Sequence, residues 1–340
     1  MKARWKDLLA VTAVVIAAAL IFAGNRSGPR SAELLNVSYD ATRELFRDLN
    51  AQFVAGYAQR TGRTLAIQQS HGGSSRQARA VMDGLEADVV TLALSSDVDA
   101  LSKRGLIAEN WAGRLPHNSQ PFTSTIVFVV RKGNPRGIRD WPDLVRPEVV
   151  VVLSDPRTSG SGKLSVLAAW GSVIYGGGNE QQAREYLRQL MERAPVLPVG
   201  ARTAAATFTG ERIGDVQLTW ESEALREIRE SKGDLQIVYP PVSIRAEPSV
   251  AWVDANVRRH GTAEDAKAYL EFLYSDQAQA IIVRHGYRSL SLDALAESEQ
   301  VPRMELFPIT VVAASWQDAQ QKFFAENAIF DTVDRPRPKP

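Results

Sequence analysis

The chain of 340 residues contains no cysteine, which excludes disulfide bonds, thiol catalysis, thiolate metal sites and a lipid anchor on an N-terminal cysteine. Histidine is scarce as well. The four histidines form no H-x-x-H or H-E-x-x-H pattern, so no metal site is predicted from them. Neither sign of charge is in surplus, since 40 basic residues stand against 39 acidic ones. A nucleic-acid partner is therefore not expected, because binding to a phosphate backbone needs a basic surface.

Long apolar runs are also missing, apart from residues 8–23, which follow the basic start MKARWK. This run is short for a bilayer span and is typical of the apolar core of a secretory signal. We interpret residues 1–30 as a signal peptide that is cleaved near Ala23 or soon after. The match to a small-x-small cleavage site is poor, so an uncleaved membrane anchor is the alternative. Either way, the rest of the chain is predicted to be exported.

The rest of the chain has the composition of a folded protein, with 44% hydrophobic and 23% charged residues. Its length is typical of two domains of ordinary size. Apolar runs at strand spacing alternate with runs at helical spacing, for example a predicted strand over residues 123–130 and another over 196–199. Such alternation predicts an α/β fold with mostly parallel sheets flanked by helices. Residues 333–340 are polar and rich in proline, which predicts a disordered tail.

The most informative stretch is VVVVLSDPRTSGSGKLSVLAAW, residues 149–170. It is read as a buried strand, a loop of small residues and the N-terminus of a helix, which offers free N–H groups, hydroxyls and a positive dipole to an anion. The P-loop pattern fails at Arg157 and Leu164. A dinucleotide fingerprint would need glycine at Ser165, and a nucleophile elbow would need it at Ser159. A solvated connection between strand and helix remains the alternative.

Three further junctions have the same character, because a predicted strand ends and a helix begins around Asp40, Ser74 and Ala201. Asp40 is expected to cap the helix that follows it. Since ligands of α/β sheets bind at the carboxyl ends of the strands, these loops are predicted to meet in one site.

Together these stretches resemble the prokaryotic sulfate- and thiosulfate-binding proteins of ABC importers. The resemblance spans roughly residues 34–287, and its motifs agree in order. The matching motifs are LNVSYD (35–40), QSHGGS (69–74), EADVVTLAL (86–94), TSTIVF (123–128), RKGNP (131–135), DPRTSG (155–160), LAAW (167–170) and EPS (247–249).

The resemblance implies a two-lobed periplasmic binding protein of type II, with a hinge between lobes that close on a dehydrated oxyanion. Lobe I would comprise residues 33–123 and 250–332, and lobe II residues 124–249, with crossings near 123–125 and 247–251. Asp40 is expected to act through its backbone, because its carboxylate would repel the ligand. Carried over residue by residue, the ligand-binding groups would be the N–H of Asp40 and the side chain of Ser74 from lobe I, and Ser159, the N–H groups of Gly160, Ser161 and Ala201, and the indole N–H of Trp220 from lobe II.

The implied function is capture of sulfate or thiosulfate in the periplasm and its delivery to an inner-membrane ABC permease by a monomer that needs no cofactor. Sulfate carries no proton at neutral pH, so a site made only of donors fits it and disfavours protonated phosphate. Two positions, Ser161 and Lys163, depart from the family, and the extra hydroxyl of Ser161 is a candidate for tuning the preference toward thiosulfate. The alternatives are another tetrahedral anion such as molybdate or phosphate, a membrane-tethered sensor, and an enzyme that acts on sulfated substrates.

The remaining ionisable residues are interpreted as structural. His71 is expected to brace its loop. Glu221 and Glu223 point to different faces of a helix, which argues against paired acid–base work. Taken by itself, a tryptophan that ends a strand, as Trp220 does, more often belongs to the core. Three arginines flank the predicted site: Arg76, Arg157 and Arg202. They either steer anions toward it or pair with nearby acids, for which the candidates are Asp88, Asp155 and Glu221.

Overall fold

The computed structural model describes residues 32–290, 302 and 304–333. The predicted signal peptide or anchor over residues 1–30 and residues 334–340 of the predicted tail lie outside the described residues. Within the described ranges, the helices are all too short or too polar to cross a membrane.

The strands and helices alternate along most of the chain, which confirms the α/β class. The strands are β1 (Ala32–Tyr39), β2 (Leu65–Gly72), β3 (Val89–Leu92), β4 (Ile126–Arg131), β5 (Val151–Val152), β6 (Val216–Trp220), β7 (Leu235–Val238), β8 (Val242–Ile244), β9 (Ser249–Trp252) and β10 (Glu305–Phe307). The helices are α1 (Arg43–Thr61), α2 (Ser74–Met82), α3 (Ser95–Lys103), α4 (Gly160–Tyr175), α5 (Glu180–Glu192), α6 (Ala201–Thr209), α7 (Glu221–Glu230), α8 (Asp254–His260), α9 (Ala263–Phe272), α10 (Asp276–Arg284), α11 (Trp316–Ala319) and α12 (Ile329–Val333).

The first sheet has the strand order β2-β1-β3-β9. β1 runs parallel to β2 and β3, so Val37 lies opposite both Ser70 and Val90, whereas β9 is antiparallel to β3. Helix α1 packs on this sheet through apolar residues spaced four apart, among them Leu45 and Leu49. It ends at Gly62, whose φ of 68° supplies the left-handed C-cap that only glycine adopts easily. This sheet and its helices form the first lobe.

The second sheet has the order β5-β6-β4-β7. β5 and β6 are parallel, while β4 runs antiparallel to both β6 and β7. Helix α4 lies against it and is buried along most of its length, because its first twelve residues include no exposed position. This sheet and its helices form the second lobe, and the two lobes together give the type II binding-protein architecture.

The chain passes between the two sheets at neighbouring points. Ser124 forms an antiparallel bridge with Ala246, and Thr123 forms another with Arg288. Thr125 Oγ1 donates a hydrogen bond of 2.8 Å to the carbonyl oxygen of Ile244. These contacts join the segments predicted as the hinge.

The exact division of the chain into lobes stays a prediction, and the C-terminal segment bears on it. β10 pairs with β8 beside the second sheet. The ring of Phe323 packs edge-on against Trp170 of α4, with centroids 5.0 Å apart. These contacts place residues 305–333 largely against the second lobe rather than the first.

Several predicted elements differ from the observed ones. Residues 196–199 do not form a strand, because Pro195 precedes the segment, Pro198 lies within it, and proline cannot donate to a ladder. The strand predicted over 123–130 begins only at Ile126. The three-residue strands β8 and β10 were not predicted.

Candidate anion-binding site

The residues predicted to bind the ligand lie where strands end and helices begin. All of them are buried. Asp40 comes directly after β1, Ser74 begins α2, Ser159 precedes α4, Gly160 and Ser161 begin α4, Ala201 begins α6, and Trp220 ends β6.

Contacts between the two lobes bring these junctions together. A Cβ atom placed on Gly160 would overlap that of Ala93 and would lie 3.2 Å from that of Ser74. The rings of Tyr39 and Trp220 lie 5.1 Å apart between centroids. The start of α4 therefore faces α2 of the first lobe, and the end of β6 faces the end of β1.

The N-terminus of α4 has donors without partners. Ser159 occupies the N-cap with an extended backbone, but its side chain makes no capping bond. The hydroxyls of Ser159 and Ser161 are buried and have no hydrogen-bond partner among the described residues. The first N–H groups of a helix also lack intrahelical acceptors, and the helix dipole is positive there. This end of α4 has what an anion requires.

Trp220 supplies a third donor of the same kind. Its side chain is fully buried, as a core tryptophan would be, yet its indole Nε1 has no partner in the described part of the chain. A buried donor left unpaired costs about 1–3 kcal/mol. The ordinary core interpretation leaves this cost unexplained, whereas a bound acceptor would remove it.

Ser74 is already engaged in hydrogen bonds. Its Oγ donates to Asp97 Oδ2 at 2.6 Å and accepts from the N–H of Ala93 at 3.0 Å. A hydroxyl has one proton to donate. In this arrangement Ser74 cannot also donate to an anion, so its predicted role requires the hydroxyl to turn away from Asp97.

Asp97 also forms an ion pair across the lobes that was not predicted. Its Oδ1 lies 3.1 Å from Lys163 Nζ of α4, and both side chains are almost fully buried. The signal in the sequence was a fifth junction of the same kind, because Asp97 lies in the first turn of α3, just after β3. In the sequence, Lys163 stands out only as a departure from the family.

The N-terminus of α6 is finished differently. Its N-cap, Gly200, has no side chain, and Thr203 Oγ1 accepts from the Gly200 N–H at 3.0 Å. The Asp40 carboxylate approaches from the first lobe, with Oδ2 3.4 Å from the N–H of Arg202. The expectation that Asp40 caps the helix after it is wrong, because neither helical segment that follows has a side-chain cap.

Charge pairs surround the site. Arg202 contacts Glu44 and lies 3.0 Å from Glu223, so the candidate pairing with Glu221 is wrong. Glu221 instead binds Arg288 through two hydrogen bonds of 2.8 and 2.9 Å. The two glutamates thus have separate partners.

The other two candidate acids, Asp155 and Asp88, differ in outcome. Arg157 lies 3.7 Å from Asp155, which is one of the predicted pairings, and 2.9 Å from Asp331 near the C-terminus. Asp88 contacts His260 at 2.8 Å, and Arg76 is exposed.

Two titratable groups border the site on the α6 side. Burial raises the pKa of Asp40, although the N–H of Arg202 opposes that shift. Burial and the neighbouring Arg43 lower the pKa of His71 to about 4, so its ring is neutral at neutral pH. His71 Nδ1 lies 2.8 Å from Ser38 Oγ, which fits the predicted bracing role. No cluster suited to a metal ion occurs among the described residues.

Comparison with known proteins agrees with this geometry. Residues 34–288 match the model of the bacterial extracellular solute-binding protein family. The chain is 42% identical to the thiosulfate-binding protein of Pseudomonas aeruginosa, over 96% of this chain and 98% of that protein. It is 46% identical to the sulfate-binding protein of Escherichia coli K12, over 89% of this chain and 93% of that protein.

Among solved structures, the sulfate-binding protein SubI from Mycobacterium tuberculosis superposes with a TM-score of 0.79 at 29% identity, over 86% of this chain and 99% of that chain. A periplasmic thiamin-binding protein shares the fold alone, with a TM-score of 0.68 at 18% identity, over 92% of this chain and 99% of that chain. These relatives are binding proteins rather than enzymes. The chain belongs to the bacterial extracellular solute-binding proteins, in the branch that contains the sulfate- and thiosulfate-binding proteins.

Proposed function

We propose that the exported chain captures sulfate or thiosulfate in the periplasm and delivers it, as a monomer, to an ABC permease of the inner membrane. The observation that carries this proposal is a set of buried donors without partners at the start of α4 and the end of β6. They are the hydroxyls of Ser159 and Ser161 and the indole N–H of Trp220. The sulfate- and thiosulfate-binding relatives support the choice of ligand.

The chemistry of the donors selects the class of anion. Hydroxyl, indole and backbone N–H groups can all donate a hydrogen bond to an oxyanion. Sulfate needs only donors, because it carries no proton of its own. Hydrogen bonds to a charged group contribute about 1.5–3 kcal/mol each. Six or seven of them sum to about 10–20 kcal/mol, whereas association costs roughly 4–15 kcal/mol. The hydrogen bonds can therefore offset the cost of association over most of that range. Tight binding therefore does not require a salt bridge to the ligand.

The charged groups near the site are occupied with each other, which also supports a site of neutral donors. Lys163 is paired with Asp97, and Arg202 with Glu44 and Glu223. The Asp40 carboxylate turns toward α6. A protonated phosphate would bring an O–H group to a site whose indole and backbone N–H groups can only donate.

Calorimetry on the mature protein tests the proposal, with sulfate, thiosulfate, molybdate and phosphate as ligands from pH 5 to pH 8. We expect one site per chain, affinity for sulfate or thiosulfate that changes little with pH, and weak binding of phosphate throughout. Absence of heat with all four anions would overturn the proposal. Binding of phosphate as tight as that of sulfate would overturn the choice of ligand. Intact mass of the exported protein distinguishes a cleaved signal from a retained anchor.

A further inference from the structure

The carboxylate of Asp40 lies in an unexpected place. Its side chain is 8% exposed, so it is removed from water, and it points across the cleft at the N-terminus of α6. An unpaired buried carboxylate is strongly disfavoured. Here the backbone N–H of Arg202, 3.4 Å from Oδ2, faces it, and the positive end of the helix dipole favours it further.

Helix α6 lacks a side-chain cap of its own. Gly200 at the N-cap has no side chain, and the Thr203 hydroxyl is engaged with Gly200 itself, accepting from its N–H and donating to its carbonyl oxygen. The first N–H groups of α6, at Ala201 and Arg202, therefore need acceptors from elsewhere. The only carboxylate oxygen that the structure brings to them within the described residues is that of Asp40.

We infer that Asp40 acts as the N-cap of α6 from the opposite lobe. The capping contact joins residues 162 positions apart and exists only when the two lobes are in contact. It therefore stabilises the closed state and supplies an acceptor to the first turn of α6. This role rests on the proposed function and makes Asp40 a positioning residue through its side chain, beside the backbone role predicted for it.

Gly200, the N-cap residue of α6, lies against the Asp40 carboxylate. A Cβ atom at position 200 would overlap Oδ2 of Asp40 and lie 3.5 Å from Cγ of the same carboxylate, whereas Thr203 Oγ1 would be 4.0 Å away. The backbone of Gly200 is extended, with φ of −166°, so glycine is not required there for its conformation. The absence of a side chain at position 200 is explained by the space that the Asp40 carboxylate takes.

The decisive comparison is between Asp40→Asn and Asp40→Ala. Asparagine caps helices as well as aspartate does, whereas alanine does not cap. We expect sulfate affinity within about twofold of wild type for Asp40→Asn and lowered about fivefold or more for Asp40→Ala. Tighter binding by both variants would show that the negative charge of Asp40 merely opposes the ligand, and unchanged binding by both would show that the contact has no effect. Either result overturns the inference.

Glu44→Ala is the matched control. Glu44 also comes from the first lobe and contacts Arg202, but through the guanidinium rather than the helix N-terminus. Both side chains of that pair are partly exposed, so its loss should change affinity by about twofold or less. A loss as large as that of Asp40→Ala would assign the effect to general charge between the lobes instead of capping.

Gly200→Ala tests the same contact by changing α6 instead of Asp40. It remains informative even if Asp40→Ala folds poorly. The new methyl group should weaken sulfate binding about fivefold in wild type by displacing the carboxylate. In the Asp40→Ala background it should have little further effect. Equal losses in both backgrounds would contradict the inference.

Hydrogen exchange separates this inference from the proposed function. The amides of Ala201 and Arg202 should exchange more slowly in wild type and Asp40→Asn than in Asp40→Ala, whether or not an anion is bound. If wild type bound none of the four anions, the proposed function would fail while this difference in exchange could still be observed. If wild type bound sulfate and the three proteins exchanged alike, only the capping role would fail.

Discussion

The N-termini of α4 and α6 face the same cleft, but they are completed in different ways. At α4 the serine hydroxyls at positions 159 and 161 are buried and unpaired. At α6 the first turn is served by Thr203 and by Asp40 of the opposite lobe. The difference is what the two proposals require, because α4 would offer its unpaired donors to the anion and α6 would be capped when the lobes close.

The largest effect is expected at the start of α4 from Gly160→Ala. The added Cβ would overlap that of Ala93, which is attached to the backbone and cannot rotate away. Overpacking costs about 1–3 kcal/mol, so sulfate affinity should fall up to about a hundredfold in calorimetry. Gly113→Ala, where a Cβ has open space, is the control. A fall of less than about threefold would mean that this contact between lobes does not govern binding.

Trp220→Phe removes the indole N–H and keeps a ring in the core. Losing one hydrogen bond to a charged ligand should weaken binding by about 1.5–3 kcal/mol, or about ten- to hundredfold. Trp141→Phe is the matched control, because its indole donates at 2.7 Å to the carbonyl oxygen of Val242. It should lower the thermal midpoint and leave affinity unchanged, and the reverse pattern would place the ligand elsewhere.

Ser159→Ala and Ser161→Ala sharpen the comparison within α4. Each should weaken sulfate binding about tenfold, since each removes one donor to the anion. Ser161→Ala should also change the ratio of sulfate to thiosulfate affinity. Ser165→Ala is the control, because its hydroxyl already donates at 2.9 Å to the carbonyl oxygen of Ser161. Equal affinities for all three variants in calorimetry would remove α4 from the site.

The smallest effect concerns pH on the α6 side. His71 has a pKa of about 4 in the folded protein, below the value of about 6.5 in an unfolded chain. As pH falls from 6.5 to 4, the unfolded chain takes up the proton first, so this group lowers the stability of the fold in that window. Thermal midpoints of wild type and His71→Asn should therefore converge or cross as pH falls. A constant difference between pH 7 and pH 4 would contradict the assignment.

The sequence allowed prediction of the features that are local. Strand–helix junctions at positions 40, 74, 159 and 201 were predicted from apolar runs, small residues and resumed helical spacing; the first three exist, whereas α6 begins at Ala201 without a strand directly before it. The strand expected at 196–199 does not form, because Pro195 before it and Pro198 within it outweigh its apolar character. Strands of three residues, such as Val242–Ile244, have too little pattern to detect.

The features that were not predicted depend on how the lobes meet. The contact between Asp40 and α6, and the hydrogen bond of Ser74 to Asp97, depend on packing between segments distant in the chain or on side-chain rotamers. No periodicity encodes them. The sequence could thus indicate which groups gather at the cleft, while their partners had to be read from the structure.

The packing of residues 305–333 has a consequence for how the protein matures. The second sheet is assembled from residues 126–238, yet Trp170 in its main helix is covered by Phe323, and Trp316 donates to Glu247 beside the crossing segment. Apolar surface on α4 stays open until almost the whole polypeptide has emerged. The second lobe therefore cannot complete its core from its own residues alone, and a chain that ends before residue 305 would leave apolar surface on α4 exposed to aggregation.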